Sequence, residues 1–255
     1  MFSWLRHKRT PIIVAHRGSS ARAPENTIAA FRQAVHDGAD AVELDVRLTK
    51  EGKLVVFHDS RLNRTTNGRG LVRTRSLSEL RRFDAGSWFN RKFASERIPT
   101  LDEILERLPV QVGVNIEMKI DRRDGRGEEL VRCLSEIIKH ENARQRLLVS
   151  SFHHALVRQL KAVEPKIATG LLVHPLQRLG RLALRKARGL NTEMIILSGT
   201  SLRKRVIEPA HRHELMVGEY TVNTGRRLER ALRLGVDVIF TDDPASILQL
   251  LHPAK

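Results

Sequence analysis

The chain carries a single cysteine, Cys133, so no disulfide framework can form within it and a reducing compartment is allowed. Cys133 lies in the apolar-periodic stretch Leu130–Ile138 and reads as a small core residue. No run of about 18 apolar residues occurs, so no membrane-spanning helix is expected. The opening segment, MFSWLRHKRT, is charged and lacks the apolar centre of a secretory signal, and a cytoplasmic protein is expected. No Ser/Gly-rich linker divides the chain, and no repeat with a period of roughly 20–50 residues is found. Acidic residues are in deficit, 29 Asp and Glu against 45 Lys and Arg, for a net charge of +16. Such a balance favours anionic partners: nucleic acid, phospholipid surfaces or phosphorylated small molecules. No zinc finger, RNP-like run or basic zipper is present, and the charge is spread along the chain, so no specific nucleic-acid partner is expected. With 41% hydrophobic residues in 255, the chain can bury a proper core, as one large barrel or two small domains.

What is present is a rhythm. Short apolar runs alternate with amphipathic stretches. The runs are Pro11–Ala15, Ala41–Val46, Leu54–His58, Gln111–Met118, Leu147–Ser151, Ile167–Val173, Met194–Leu197, Leu215–Val222 and Val236–Thr241. Helical patterns such as Thr27–His36, Leu101–Leu108, Gly127–His140, His153–Val163 and Arg226–Leu234 lie between most of them. Alternation of this kind predicts βαβ units and a parallel sheet. Between Asp45 and Leu54 there is no room for a crossover helix, so Leu54–His58 is expected to return as a hairpin turning at Glu51-Gly52. Pairing Lys50 with Lys53 would set Asp45 opposite His58. Eight parallel strands remain, which predicts an α/β fold of the (β/α)8 TIM-barrel type, with an open doubly wound sheet as the alternative. The stretch 59–99 reads as an insertion capping one rim. Residues 1–10 read as a tail before a single domain spanning 11–255.

In a barrel of this kind, catalytic side chains sit at the carboxyl ends of the strands. The first run ends in His16-Arg17-Gly18, the second holds Glu43-Leu44-Asp45, the returning hairpin ends in His58-Asp59, and the next strand ends in Glu117-Met118-Lys119. Two residues apart on a strand, Glu43 and Asp45 share a face, and like charges there need a cation or a proton. With Glu117 they form a hard-oxygen site for one divalent cation: Mg²⁺, Mn²⁺ or Ca²⁺. His16 and His58 are the natural acid and base, because imidazole titrates near neutrality. Arg17 and Lys119 could grip phosphate oxygens. Gly18 permits close backbone approach, and Asn26 or Thr27 is expected to cap the following helix.

Taken in order, His16-Arg-Gly18, Ala23-Pro-Glu-Asn-Thr27, Glu43-Leu-Asp-Val46, Val55-Val-Phe-His-Asp59, Arg64-Thr-Thr66, Ile116-Glu-Met-Lys119, Thr221-Val-Asn223 and Gly235-Val-Asp-Val-Ile-Phe-Thr-Asp-Asp-Pro244 resemble the glycerophosphodiester phosphodiesterase family over nearly the whole chain. The resemblance implies a TIM-type barrel with a small insertion after His58-Asp59, metal ligands at Glu43, Asp45 and Glu117, an acid–base pair at His16 and His58, and Arg17 and Lys119 near the phosphate. It implies hydrolysis of glycerophosphodiesters to sn-glycerol 3-phosphate and an alcohol, by water or through a cyclic phosphate. Where the family usually has Trp before Thr-Val-Asn, this chain has Tyr220, which keeps an aromatic wall in the alcohol pocket and adds a hydroxyl. An alternative substrate is lysophospholipid at an anionic membrane surface. It is suggested by Phe2, Trp4 and Leu5 beside Arg6, Lys8 and Arg9, and by the basic segment Arg178–Arg188.

Overall fold

The structure, a computed structural model, describes residues 11–121, 124–141, 144–174 and 180–253. The N-terminal tail therefore lies outside the described residues, as does Arg178 at the start of the basic segment. The strands are β1 (Ile12–His16), β2 (Ala41–Leu48), β3 (Leu54–Val56), β4 (Gly113–Met118), β5 (Leu147–Ser151), β6 (Ala168–Val173), β7 (Met194–Ser198), β8 (Met216–Tyr220) and β9 (Val238–Thr241). The helices are α1 (Ile28–His36), α2 (Leu77–Leu80), α3 (Leu101–Arg107), α4 (Gly127–His140), α5 (His154–Val163), α6 (Gly180–Gly189), α7 (Lys204–Arg212), α8 (Gly225–Leu234) and α9 (Pro244–Leu251).

β1 pairs in parallel with β2 on one side and with β9 on the other, and the remaining parallel strands complete the ring. The result is a closed eight-stranded barrel with a helix after each strand, and the open-sheet alternative is excluded. β3 runs antiparallel on β2, as the short connection requires. The register differs from expectation by one residue. Leu48 faces Leu54 and Val46 faces Val56, and the Phe57 N–H donates to the Asp45 carbonyl, which puts Phe57, not His58, opposite Asp45. The cause is the turn. Thr49 N–H donates to the Lys53 carbonyl across a three-residue loop, and Gly52 takes φ +81°. A glycine in the left-handed region closes a three-residue hairpin, whereas the expected two-residue loop would shift the pairing by one.

Strand alternation sorts the side chains. On the outside, Val42, Leu44, Val46, Val114 and Ile116 join the helices in the main core; inside, Val14, Leu148, Met194, Ile196 and Phe240 fill the barrel. Buried polar residues that face the interior include Glu43, Asn115 and Glu117. The segment between β3 and α3 has a small core of its own around Phe57, Leu62, Val72, Leu80 and Ile98. α2 and α3 each start with a capping box, Ser76 with Glu79 and Thr100 with Glu103.

Candidate active site

β1 delivers His16 to the barrel mouth, and the chain then turns through two left-handed residues, Arg17 (φ 57°) and Gly18 (φ 81°). A Cβ on Gly18 would lie 2.6 Å from the Ala30 backbone, so only glycine lets this loop rest on α1. Three bonds hold Arg17 in its uncommon conformation. Its N–H donates to Glu43 Oε2 at 2.9 Å, its carbonyl accepts from Asn26 N, and its Nη1 donates to Glu25 Oε1 at 2.8 Å. Thr27 is the residue that caps α1, accepting from Ala30 N. Asn26 instead reaches into the site, where Nδ2 donates to Asp45 Oδ2 at 2.8 Å.

β2 and β4 present the three carboxylates. Asp45 and Glu117 are register partners, and Glu43, Asp45 and Glu117 are buried with one ligand oxygen each within 4.8 Å of the others. Lys119 Nζ lies 2.6 Å from Glu117 and 3.2 Å from Asp45, and Arg17 Nε lies 3.3 Å from Asp45. Two cations thus face three buried carboxyl groups. Burial, then the charges of Asp45 and Glu117, push the Glu43 carboxyl well above the usual carboxylate range. Burial pushes Glu117 up to about 7, reinforced by Asp45 and opposed by Lys119. Burial also works on Asp45, but Lys119 and Arg17 outweigh it and hold that carboxyl well below its ordinary value. Two additional buried oxygens near the cluster, Asn115 Oδ1 and Ser150 Oγ, have no hydrogen-bond partner among the described residues.

Each histidine is held through Nδ1 by an aspartate. His16 donates to Asp242 Oδ1 at 2.7 Å and His58 to Asp59 Oδ1 at 2.6 Å. A carboxylate can only accept, so in both rings Nδ1 carries hydrogen and Nε2 is left for chemistry. The two aspartates differ in their other partners. Asp242 accepts from the neutral donors Ser20 and Asn223. Asp59 accepts twice from Arg64, at 2.8 and 3.1 Å, and sits at about 2, burial being outweighed by Arg64 and His58. The other face of the Arg64 guanidinium binds Glu25 bidentately, with both contacts at 2.7 Å. One chain of ion pairs therefore runs from His58 through Asp59, Arg64 and Glu25 to Arg17. Burial, with Lys119 and Arg17, lowers the His58 pKa against the pull of Asp45 and Asp59.

A cavity of about 240 Å³ joins these groups, lined by His16, Arg17, Glu43, His58, Asn115, Glu117 and Lys119 on one side. Phe152, Leu172, Ile196, Tyr220 and Phe240 form the apolar side. Tyr220 packs edge-on against Phe152 with ring centres 6.0 Å apart, and its hydroxyl donates to the Val173 carbonyl. Burial pushes that hydroxyl up to about 12. All eight residues singled out in the sequence therefore border or touch this pocket. Asp242, Asn223, Arg64 and Asn115 received no role there. The signals available were a polar Asp-Asp at the end of β9, Asn223 after β8, and the Arg-Thr-Thr of the insertion.

A family model described as the glycerophosphoryl diester phosphodiesterase family matches residues 16–246. A glycerophosphodiester phosphodiesterase of Caldanaerobacter subterraneus is 40% identical, over 94% of this chain and 98% of its own length. One of Bacillus altitudinis is 37% identical over 95% and 99%. Among solved structures, an Oleispira antarctica phosphodiesterase in complex with the product sn-glycerol-3-phosphate superposes with a TM-score of 0.88 at 32% identity, covering 94% of this chain and 96% of that one.

Proposed function

The chain belongs to the glycerophosphoryl diester phosphodiesterase family, and from that premise we propose how its residues divide the work. The reaction is metal-dependent hydrolysis of a glycerophosphodiester to sn-glycerol 3-phosphate and an alcohol. The observation that carries the assignment is a buried triad of carboxylates within 4.8 Å of one another, flanked by two histidines that are each fixed by an aspartate. The triad suits a hard cation. All its donors are oxygens, and burial together with the charges of Asp45 and Glu117 raises Glu43 against the pull of Arg17 and Lys119. Glu43, Asp45 and Glu117 would hold Mg²⁺, Mn²⁺ or Ca²⁺, which neutralises charge on the phosphoryl oxygens when bound.

His58 serves as the general base. Its pKa is lowered by burial and by neighbouring cations, so Nε2 is free to take a proton from water or from the substrate's own hydroxyl. His16 serves as the general acid. The anionic Asp242 behind Nδ1 stabilises the imidazolium that returns a proton to the leaving alkoxide. Arg17 and Lys119 bind the phosphoryl oxygens, and their hydrogen bonds to buried carboxylates hold them in place before substrate arrives. Tyr220 and Phe152 wall the alcohol side. Cytoplasmic operation and membrane contact through the N-terminal tail are part of the same proposal, and the tail lies outside the described residues. Among the described residues no helix is long and apolar enough to cross a membrane.

The test is release of glycerol 3-phosphate from glycerophosphocholine, with each cation and after EDTA. His16→Ala and His58→Ala should each lose about 10²–10⁴-fold in kcat. A p-nitrophenyl diester, whose leaving group needs no proton, should restore turnover to His16→Ala and not to His58→Ala. Rescue of His58→Ala instead would reverse the two roles.

A further inference from the structure

We propose that the tip of the insertion, residues 86–97, docks this enzyme on an anionic lipid bilayer with the barrel mouth facing the membrane. Five large apolar side chains are exposed among the described residues: Trp88, Val110, Val163, Leu232 and Leu250. Val110 lies in the connection from α3 to β4. Val163, Leu232 and Leu250 sit in the last turns of α5, α8 and α9. Those four positions belong to the end of the barrel away from the catalytic pocket, because helices run back from the mouth. Trp88 alone lies on the catalytic rim. Its segment is tied there by Glu96, whose Oε2 accepts from Ala29 N in the first turn of α1.

The tip has the chemistry of an interfacial anchor. Trp88, Phe89 and Phe93 form an edge-to-face series with ring centres 5.7 and 5.8 Å apart. The Trp88 indole N–H donates to the Ala85 carbonyl, so the 41% exposed ring presents hydrocarbon with its one donor already satisfied. Gly86 makes this fold possible, since a Cβ there would meet the Phe93 carbonyl oxygen at 1.9 Å. Lys92 Nζ sits 4.8 Å from the Phe93 ring centre. Arg82, Arg91 and Lys92 are exposed and make no ion pair among the described residues. The two nearby carboxylates are already engaged: Asp84 accepts from Gly86 and Ser87, and Glu96 from Ala29. An exposed aromatic group ringed by cations without counter-ions fits a bilayer of anionic headgroups, where tryptophan occupies the interface and basic side chains face the lipid charge. Duplex nucleic acid would use the cations and leave the aromatic series without a role.

The inference is independent of the chemistry assigned to the pocket. Its test is co-sedimentation of the full chain with phosphatidylcholine vesicles, with and without phosphatidylglycerol. Trp88→Ala combined with Arg91→Ala and Lys92→Ala should weaken binding to the anionic vesicles on the order of a hundredfold. Hydrolysis of soluble glycerophosphocholine should stay unchanged, which shows that the variant is folded. Arg185→Ala with Arg188→Ala, on exposed positions of α6 across the barrel, should cost less than about threefold, because basic residues act only near the lipid surface. In a Trp4→Phe background, Trp88 emission should shift to the blue on vesicles. Equal weakening by the α6 pair would mean binding by net charge alone and overturn the proposal. So would unshifted Trp88 emission, or tip variants that lose DNA binding and keep vesicle binding.

Discussion

Replacing Asp242 by Asn tests whether the carboxylate behind His16 acts on proton donation. The substitution keeps size and removes one charge, and the neighbours decide which way the new amide turns. Asn223 Oδ1 already accepts from Asp242 N and Thr241 Oγ1, so Asn223 cannot flip, and its Nδ2 must keep pointing at position 242. With its oxygen on His16 the new amide leaves Asn223 Nδ2 facing a donor; with its oxygen on Asn223 it donates to His16 Nδ1 and turns the ring to the tautomer whose Nε2 carries hydrogen. A charge-assisted hydrogen bond contributes about 1.5–3 kcal/mol, and each ~1.4 kcal/mol is tenfold in rate. With the His16 and Asp242 side chains 21% and 31% exposed, solvent screens part of this. The expected loss in kcat on glycerophosphocholine is about ten- to a hundredfold, with KM little changed. On a p-nitrophenyl diester the loss should fall below about threefold, since nitrophenolate departs without a proton. Steady-state kinetics on the two substrates decide the matter. Equal losses on both would refute the reasoning, because a merely structural aspartate would slow every substrate alike.

Three other outcomes follow from the same geometry. Asp59 falls to about 2 in the folded protein, so its contribution to stability is fully present above its unfolded pKa near 3.9 and fades as pH drops toward 2; Arg64→Ala should flatten that acid loss in urea titrations by about 1 kcal/mol. Glu43 and Glu117 are raised, Glu117 to about 7. The folded metal-free protein therefore holds protons that the unfolded chain has released, and its stability should decline as pH rises from about 4.5 to 7. Thermal melts in EDTA at pH 5.5 and 8 should show that decline, and saturating cation should abolish it. Gly18→Ala should destabilise the fold by about 2 kcal/mol or more, through positive φ and the contact with Ala30, read from the urea midpoint.

Much of this was legible along the chain because the barrel reports itself locally. Strands are short apolar runs; His16, Glu117 and Lys119 stand at their carboxyl ends, and Glu43 and Asp45 share one face of β2. What was not legible depended on space or on one dihedral. The hairpin register turned on whether Gly52 closes a loop of two residues or three. The partner of His16 lies 226 positions away, and Arg64 reaches Glu25 across 39, separations on which strand and helix periodicity are silent. α7 carries Pro209 inside it, which interrupts the pattern by which a helix is read, yet it packs against β8 all the same. Asn26 offered two local readings, and its contact with Asp45 settled that Thr27 is the cap.

The bond between His16 and Asp242 joins the first strand of the barrel to the residue that follows the last. During synthesis the acid half of the site is therefore incomplete until Asp242 has left the ribosome and β9 has docked beside β1. Turnover then becomes a report on closure itself. A nascent chain released before Asp242 would contain every carboxylate of the triad and both histidines, and would still lack the carboxylate that holds His16 ready to donate.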